Sequence, residues 1–404
     1  MRKIEQQLLV LVRAAMNGRK VEESELGNVD WEALRQEAKA QELTGFIYSA
    51  IGEELKRKMP RASLEKWKRV TIKTAMKQFK HMGQIEYLIG KLEQKGIELI
   101  ALKGIVIRNL YPKPELRTMS DGDFLIQQKD QQRVHGLLIE EGYMAEEETP
   151  LHIRYKHVQY KPVEMHTTLR HGEIFEEISW DEKSLWADAI NVHIGKEKVL
   201  SLGPTDLLFH GCTHIATHLV VSGFGIRQLI DIALISKHYK AQIDWEKFVQ
   251  EVRQWKLEQF LVNLFYVVHL LLEIEIPIQI EELGKANKKA AKLMIDLIFE
   301  GGTRGKRNLK VALSHGIARE KKSKATGSTN GSFIRFIFPK ASSLSHQYNY
   351  AKKYPICLPI AWVHRLLFGE GHKTYQLQEQ WTFIITGMSA VGKKKKLLTL
   401  LKLQ

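Results

Sequence analysis

The sequence predicts an α+β protein, a small mixed-sheet core flanked by helical regions on its N-terminal and C-terminal sides. Three observations carry that expectation. Apolar residues recur at three and four from Ile4 to about Lys95, the signature of amphipathic helices. At Gly96 the texture changes to short strand-like runs, Ile97 to Leu102, Asp121 to Gln127, Ile153 to Tyr160 and Val163 to Leu169. From Pro204 to about Ile280 the period is helical again, so a mixed α/β unit lies between two helical ones. A chain of 404 residues is too long for one ordinary core, which suits two or three such units.

The elements follow in order. Residues 1–95 read as a helical region in which Asp30, before Trp31, caps a helix. Residues 96–200 form the α/β core: a first strand closing on Lys103-Gly104, a helix Ile105 to Leu110 broken by Tyr111-Pro112-Lys113-Pro114, a second strand from Asp121, and a helix Gln131 to Glu140 ended by Gly142. Residues 201–300 form a helical domain that closes over the core. A basic, Gly- and Ser-rich stretch, 301–332, reads as a mobile connection to a C-terminal helical segment, 333–380, and a tail, 381–404.

Composition narrows the function. The most apolar stretch, Phe260 to Ile280, is interrupted by Asn263, His269, Glu273, Glu275 and Pro277, and reads as a buried helix rather than a membrane span. Charges scattered through Met1 to Arg13 argue against a secretory signal, so a cytoplasmic protein is expected. Cys212 and Cys357, the only 2 cysteines, stand in apolar or helical contexts, and neither a disulfide nor a zinc site is expected. A net charge of +15 favours polyanionic partners such as a nucleoside triphosphate, but the excess sits in clusters that also read as solvated faces. Nucleic acid is a partner that no aromatic-basic motif supports.

The chemistry-bearing motif is Asp121-Gly122-Asp123. At the start of a strand, alternate side chains share a face, so both carboxylates project together. Two parallel carboxylates repel unless a divalent cation lies between them, and Mg²⁺, with Mn²⁺ as a substitute, suits a site built from carboxylates, phosphate oxygens and water. Alone, such a pair is a weak signal, since most are surface loop acids.

Its surroundings sharpen the reading. Leu102-Lys103-Gly104, a helix, Tyr111-Pro112, Arg117 and Met119-Ser120-Asp121-Gly122-Asp123-Phe124-Leu125-Ile126 resemble the block of the uncharacterised nucleotidyltransferases, a branch of the DNA polymerase β superfamily. The resemblance runs from Gly96 to about Leu367 and is most specific between Leu102 and Glu164. It implies a minimal nucleotidyltransferase core that moves a nucleoside monophosphate from an NTP, ATP foremost, to a hydroxyl with release of pyrophosphate. By the same resemblance Val163-Glu164-Met165-His166 supplies the third carboxylate, so that Asp121, Asp123 and Glu164 are the catalytic, metal-binding set, with His166 on the same face. Lys103, Gly104, Arg117 and Ser120 are then expected on the nucleotide. Where the wider superfamily opens its site with Gly-Ser, this chain has Lys103-Gly104, a point charge and a close backbone approach in place of a hydroxyl. Relatives accompany peptide natural-product genes, which implies a peptide or protein acceptor. The alternative is a degenerate transferase that holds nucleotide or a partner without turnover.

Asp206 to Val220 carries His210, His214 and His218 at i, i+4 and i+8, one drifting helix face. We read them as lining the cleft, with a structural role or a metal site as alternatives. Related chains follow such a helix with Arg-x-x-x-Asp, matched by Arg227 and Asp231. Arg227 is expected in the cleft wall, and the two residues can also pair with each other.

The tail carries Trp381 to Thr386, a strand-like run, then Gly387-Met388-Ser389-Ala390-Val391-Gly392-Lys393-Lys394. This is a P-loop pattern with Lys394 where the Mg²⁺-binding hydroxyl belongs, and the 10 residues after it are too few for a P-loop domain. It resembles the opening of an HPr-kinase-like domain cut by a frameshift in an adenine-rich run; a chance likeness in a basic tail is the other reading. Either way the tail is expected to be inert as an ATP site and dispensable for nucleotide binding.

Overall fold

A computed structural model of the chain describes residues 1–148, 152–169, 180–302, 348–354, 357–362 and 392–403. The N-terminal region is helical as the periodicity requires: α1 (Lys3–Met16), α2 (Glu23–Leu26), α3 (Trp31–Ala40), α4 (Thr44–Tyr48), α5 (Glu53–Lys58) and the long α6 (Arg61–Gln94). Asp30 caps α3, its side chain accepting from Ala33 N at 3.0 Å. Gly96, at φ +64°, turns the chain out of α6 into the sheet.

The α/β core comprises β1 (Leu99–Ala101), α7 (Gly104–Ile107), β2 (Gly122–Ile126), α8 (Gln131–Glu140), β3 (Met144–Glu148), β4 (His152–Lys156), β5 (Val163–His166), α9 (Glu182–Ala187), β6 (Ile190–Ile194) and β7 (Glu197–Ser201). The strands make one mixed sheet of order β3-β4-β5-β2-β1-β7-β6. β2 runs parallel to β5, β1 runs parallel to β7, and the other neighbours are antiparallel. β2, near the centre, is buried along its whole length. The architecture is therefore α+β with a mixed sheet, as expected.

Three strands go beyond the sequence reading. β3 is Met-Ala-Glu-Glu-Glu, which shows no apolar alternation. β6 and β7 form a hairpin around Gly195-Lys196, with Gly195 at φ +62°. That two-residue, Gly-bearing turn is a hairpin signal present in the sequence. The helix expected over Ile105 to Leu110 is also tighter than anticipated, α7 passing into a 3₁₀ turn at Arg108–Leu110.

The second helical region is α10 (Pro204–Val221), α11 (Ile226–His238), α12 (Trp245–Gln254), α13 (Glu258–Leu272), α14 (Ile278–Glu281) and α15 (Lys288–Gly301). The apolar run Phe260 to Ile280 is buried but is not one helix. Glu273 ends α13 in a left-handed conformation, φ 58°, and Pro277 opens α14. Among the described residues no helix is long and apolar enough to cross a membrane.

One hydrophobic core runs from α1 through the sheet to α15. Gln41, fully buried, ties its ends: its Nε2 donates to Ile298 O at 2.9 Å and its Oε1 accepts from Ile226 N at 3.1 Å. The N-terminal region is thus packed onto the second helical region as well as onto the sheet.

The segment 303–347, most of 355–391 and the first five residues of the P-loop-like motif lie outside the described residues. Residues 392–400 are helical, and Leu397, Leu401 and Leu403 are buried in the common core. Lys394 is buried too; its Nζ donates to Val220 O at 2.7 Å, and burial pushes its ammonium down to about 7. Whatever the origin of this tail, its last turns are packed as structure, so removing them would empty part of the core. Leu401→Ala should lower stability by about 2–4 kcal/mol, the usual cost of emptying a buried leucine site. Urea denaturation followed by circular dichroism measures it, and an unchanged midpoint would show that the tail is not part of the core.

Candidate active site

The site begins with a register. In the parallel β2–β5 pair Asp123 lies opposite Glu164 and Leu125 opposite His166. Side chains two apart on a strand share a face, so Glu164 and His166 project to the same side as Asp123. One ligand atom from each of Asp123, Glu164 and His166 lies within 4.8 Å of the others. On β4, Arg154 lies opposite Glu164, so an acid-acid-base row crosses three strands.

Burying two carboxylates side by side is costly unless positive charge answers them. Lys103 supplies it to Asp123, Nζ to Oδ1 at 2.8 Å, and His166 Nε2 approaches the same oxygen at 3.3 Å. Arg154 Nη1 donates to Glu164 Oε1 at 2.7 Å. Burial works to raise the Asp123 carboxyl, but the charge of Lys103 and the contact with His166 outweigh it and hold the group well below the usual range. Glu164 goes the other way, pushed up to about 7 by burial and then by the charge of Asp123. Burial pushes His166 down, which favours the neutral imidazole at pH 7.

Asp121 precedes β2 and is half-buried at the cleft edge, outside the tight group. Its carbonyl lies 3.1 Å from His81 Nε2 on α6. Gln78 of α6 donates to Met119 O at 3.2 Å, Lys161 donates to the same carbonyl, and Gln84 donates to Lys161 O at 3.0 Å. Polar residues on the buried face of α6 therefore fix the loop that presents Asp121. Sequence reading missed Gln78, His81, Gln84, Arg154 and Lys161. The available signal was a set of polar residues at helical spacing within an otherwise apolar face.

Lys103 and Gly104 stand where β1 turns into α7, with Lys103 at φ 46°. A side chain at position 104 would collide with Arg117 Nη1 and come within 2.7 Å of Met119 Sδ. Only glycine leaves room there. Arg117 itself, expected on the phosphates, grips Asp231 of α11 with both arms of its fork, Nε to Oδ1 at 3.0 Å and Nη2 to Oδ2 at 2.7 Å. Tyr111 completes the group, its hydroxyl donating to Asp231 Oδ1 at 2.6 Å. The pairing of Arg227 with Asp231 offered by their i, i+4 spacing therefore does not form, because Asp231 turns inward to Arg117. Arg227 instead donates to Thr118 O at 3.3 Å and lies 3.6 Å from Glu42.

Between the sheet and helices α10 and α11 lies a cavity of about 460 Å³. Lys103, Gly104, Ser120, Asp121, Asp123 and Glu164 line its sheet side together with an edge of Arg117. From the helices come His210, His214, His218 and Arg227, so the histidine row faces the cleft as its spacing suggests. His166 is not in the cleft wall; it backs Asp123. His214 and His218 touch through their Nε2 atoms at 2.9 Å, and His218 Nδ1 meets Ser222 Oγ at 2.7 Å. Gly211 lets α10 approach α11, since a Cβ there would stand 2.9 Å from Ile232 Cδ1.

Asp123 and the half-buried Glu164, in register beside a polar cleft reached by a Lys-Gly turn, can together hold a divalent cation. The sequence model of the family described as uncharacterised nucleotidyltransferase matches residues 27–273, and the chain belongs to that family. No curated protein matches it in sequence. Among solved structures, the lincomycin-bound lincosamide antibiotic adenylyltransferase LnuA is similar at 14% identity, over 38% of this chain and 95% of that one, with a TM-score of 0.29.

The Arg117–Asp231 pair gives a prediction that separates structure from ligand binding. Asp231→Ala strands a buried guanidinium and should cost about 3–5 kcal/mol of stability. Chemical denaturation of the variant reads this directly. A variant as stable as the parent that binds nucleotide more weakly would return Arg117 to the phosphates.

Proposed function

We propose that the protein transfers a nucleoside monophosphate from an NTP, ATP foremost, to a hydroxyl of an acceptor such as a peptide or protein. The observation that carries the reading is the β2–β5 register that sets Asp123 beside Glu164 at the floor of the cleft. Two carboxylates and an imidazole within 4.8 Å fit a divalent cation. Asp123 and Glu164, with Asp121 at the rim, would hold Mg²⁺ or Mn²⁺, which when bound polarises the phosphate and acidifies the attacking hydroxyl.

The protein's own groups do the rest. Lys103, at the cleft floor, is placed to exchange Asp123 for a phosphate oxygen. Gly104 and Ser120 allow close approach of the triphosphate along the turn. Arg227 and the face of α10 that carries His210 and His214 close the cleft from above, limiting water around the transferred group. Arg117 acts through Asp231, holding α11 against the sheet.

A second reading has its own observation. Lys103 and Arg154 already balance the charges of Asp123 and Glu164, an arrangement that a degenerate, nucleotide-holding relative could keep without turnover.

Incubation with each α-labelled NTP, Mg²⁺ or Mn²⁺ and cell extract distinguishes the two readings by whether label becomes covalently attached. Asp121→Asn, which among the described residues breaks no ion pair, should reduce labelling by about 10²-fold or more at an unchanged melting temperature. Labelling that survives both Asp121→Asn and Asp123→Asn would remove the carboxylates from the mechanism.

A further inference from the structure

The inner face of α6 holds the catalytic loop, but its outer face is an apolar seam open to solvent. Ile72, Met76 and Phe79 are 59%, 68% and 79% exposed, among the most exposed large apolar side chains described. Their spacing of four and then three is that of a heptad seam, the pattern by which one helix packs along another. The next seam position is Gly83, where an added side chain would meet nothing within 4 Å, leaving a hole for a large partner side chain.

A second stripe runs beside the first. Lys73, Lys77 and Lys80 each follow a seam residue or lie one turn from it, and all three are exposed. Lys66 and Lys68 have Glu32 and Glu65 as partners, whereas among the described residues no carboxylate pairs with Lys73, Lys77 or Lys80. Beyond the helix the patch continues onto a turn. Val158, 89% exposed, is presented by residues pinned through His157, whose Nδ1 accepts from the backbone of Gln159 and Tyr160 at 3.0 and 3.2 Å. Tyr160 in turn lies under Lys80, 5.5 Å from ring centre to Nζ.

From this surface we infer that α6 is a docking site for an amphipathic helix of a partner protein, apolar along a four-three seam and acidic along its flank. Ile72 and Met76 offer bases no ring to stack on, which leaves Phe79 as the seam's single aromatic side chain, whereas a helix fills the four-three seam with knobs. The lysine stripe selects acidic flanking residues and disfavours a basic segment, including a second copy of α6. The docked helix would pass alongside Lys161, which is close enough to both Lys77 and Asp121 to feel their charges. A partner held there lies at the Asp121 edge of the cleft. The inference concerns binding and stands whether or not the proposed transfer occurs.

The test uses the full chain and fluorescein-labelled amphipathic peptides of about twenty residues with leucine at the seam positions, flanked in one by glutamate and in the other by lysine. Fluorescence anisotropy should show binding of the glutamate peptide alone, weakening with added salt. The pair Met76→Glu and Phe79→Glu should weaken it by about tenfold or more, with an unchanged melting temperature because both side chains are exposed. Absence of glutamate-peptide binding, or equal binding by the double variant, overturns the inference. Phosphatidylglycerol vesicles and a single-stranded oligonucleotide are run in parallel. If either binds through Met76 and Phe79 while the peptide does not, the surface belongs to a membrane or to nucleic acid and the inference also fails.

Discussion

A buried carboxylate, Asp123, set beside the half-buried Glu164 is the constraint around which this protein is arranged. Asp123 and Glu164 are neighbours because β2 and β5 run parallel in one register, and a slip of one residue between the strands would put the two acids on opposite faces of the sheet. Their repulsion has to be answered locally. Lys103 answers Asp123, Arg154 answers Glu164, and His166 approaches Asp123 as a neutral contact. The unequal environments push the two acids apart, Asp123 held ionised and Glu164 raised to about 7. Such divergence within a pair is typical of sites that bind charge rather than of a packed core.

The cleft then depends on how the helices are fastened over that pair. Arg117 and Tyr111, from the loop between β1 and β2, converge on Asp231 of α11, so the segment that leads to Asp121 and the helix that roofs the cavity move as one. Gly104 leaves room for Arg117 and Met119 of the same loop, and Gly211 lets α10 approach α11. Gln41 adds the N-terminal helices to the same assembly. Buried ionic groups of this kind contribute little net stability but are expensive to break, which suits a role in holding one geometry.

Much of this was legible in the sequence, and the rest was not, for physical reasons. Period and turn residues revealed the helical leader, the Asp30 cap, the strand at Asp123 and the strand at Glu164, because each pattern is local. β3 stayed hidden because Met-Ala-Glu-Glu-Glu has no apolar alternation, and β6–β7 because its short strands carry little apolar pattern beyond the Gly195-Lys196 turn. Asp123, Glu164 and the histidines of α10, all named from the sequence, line one cleft. Arg117 shows what local pattern leaves out: an arginine beside two acids looks like a phosphate ligand, and only the tertiary fold brings Asp231 to it. Gln78 and His81 could not be assigned from sequence, since nothing local tells which loop a buried polar helix face supports.

The central claim is that Asp123 and Glu164 form one site that binds cation and nucleotide together. Electron paramagnetic resonance of Mn²⁺ titrated into the full chain with a non-hydrolysable ATP analogue measures it most directly. The account predicts that bound Mn²⁺ appears in the parent protein and that Glu164→Gln and Asp123→Asn each weaken it by at least about tenfold. Mn²⁺ and nucleotide held equally well by both variants would contradict it.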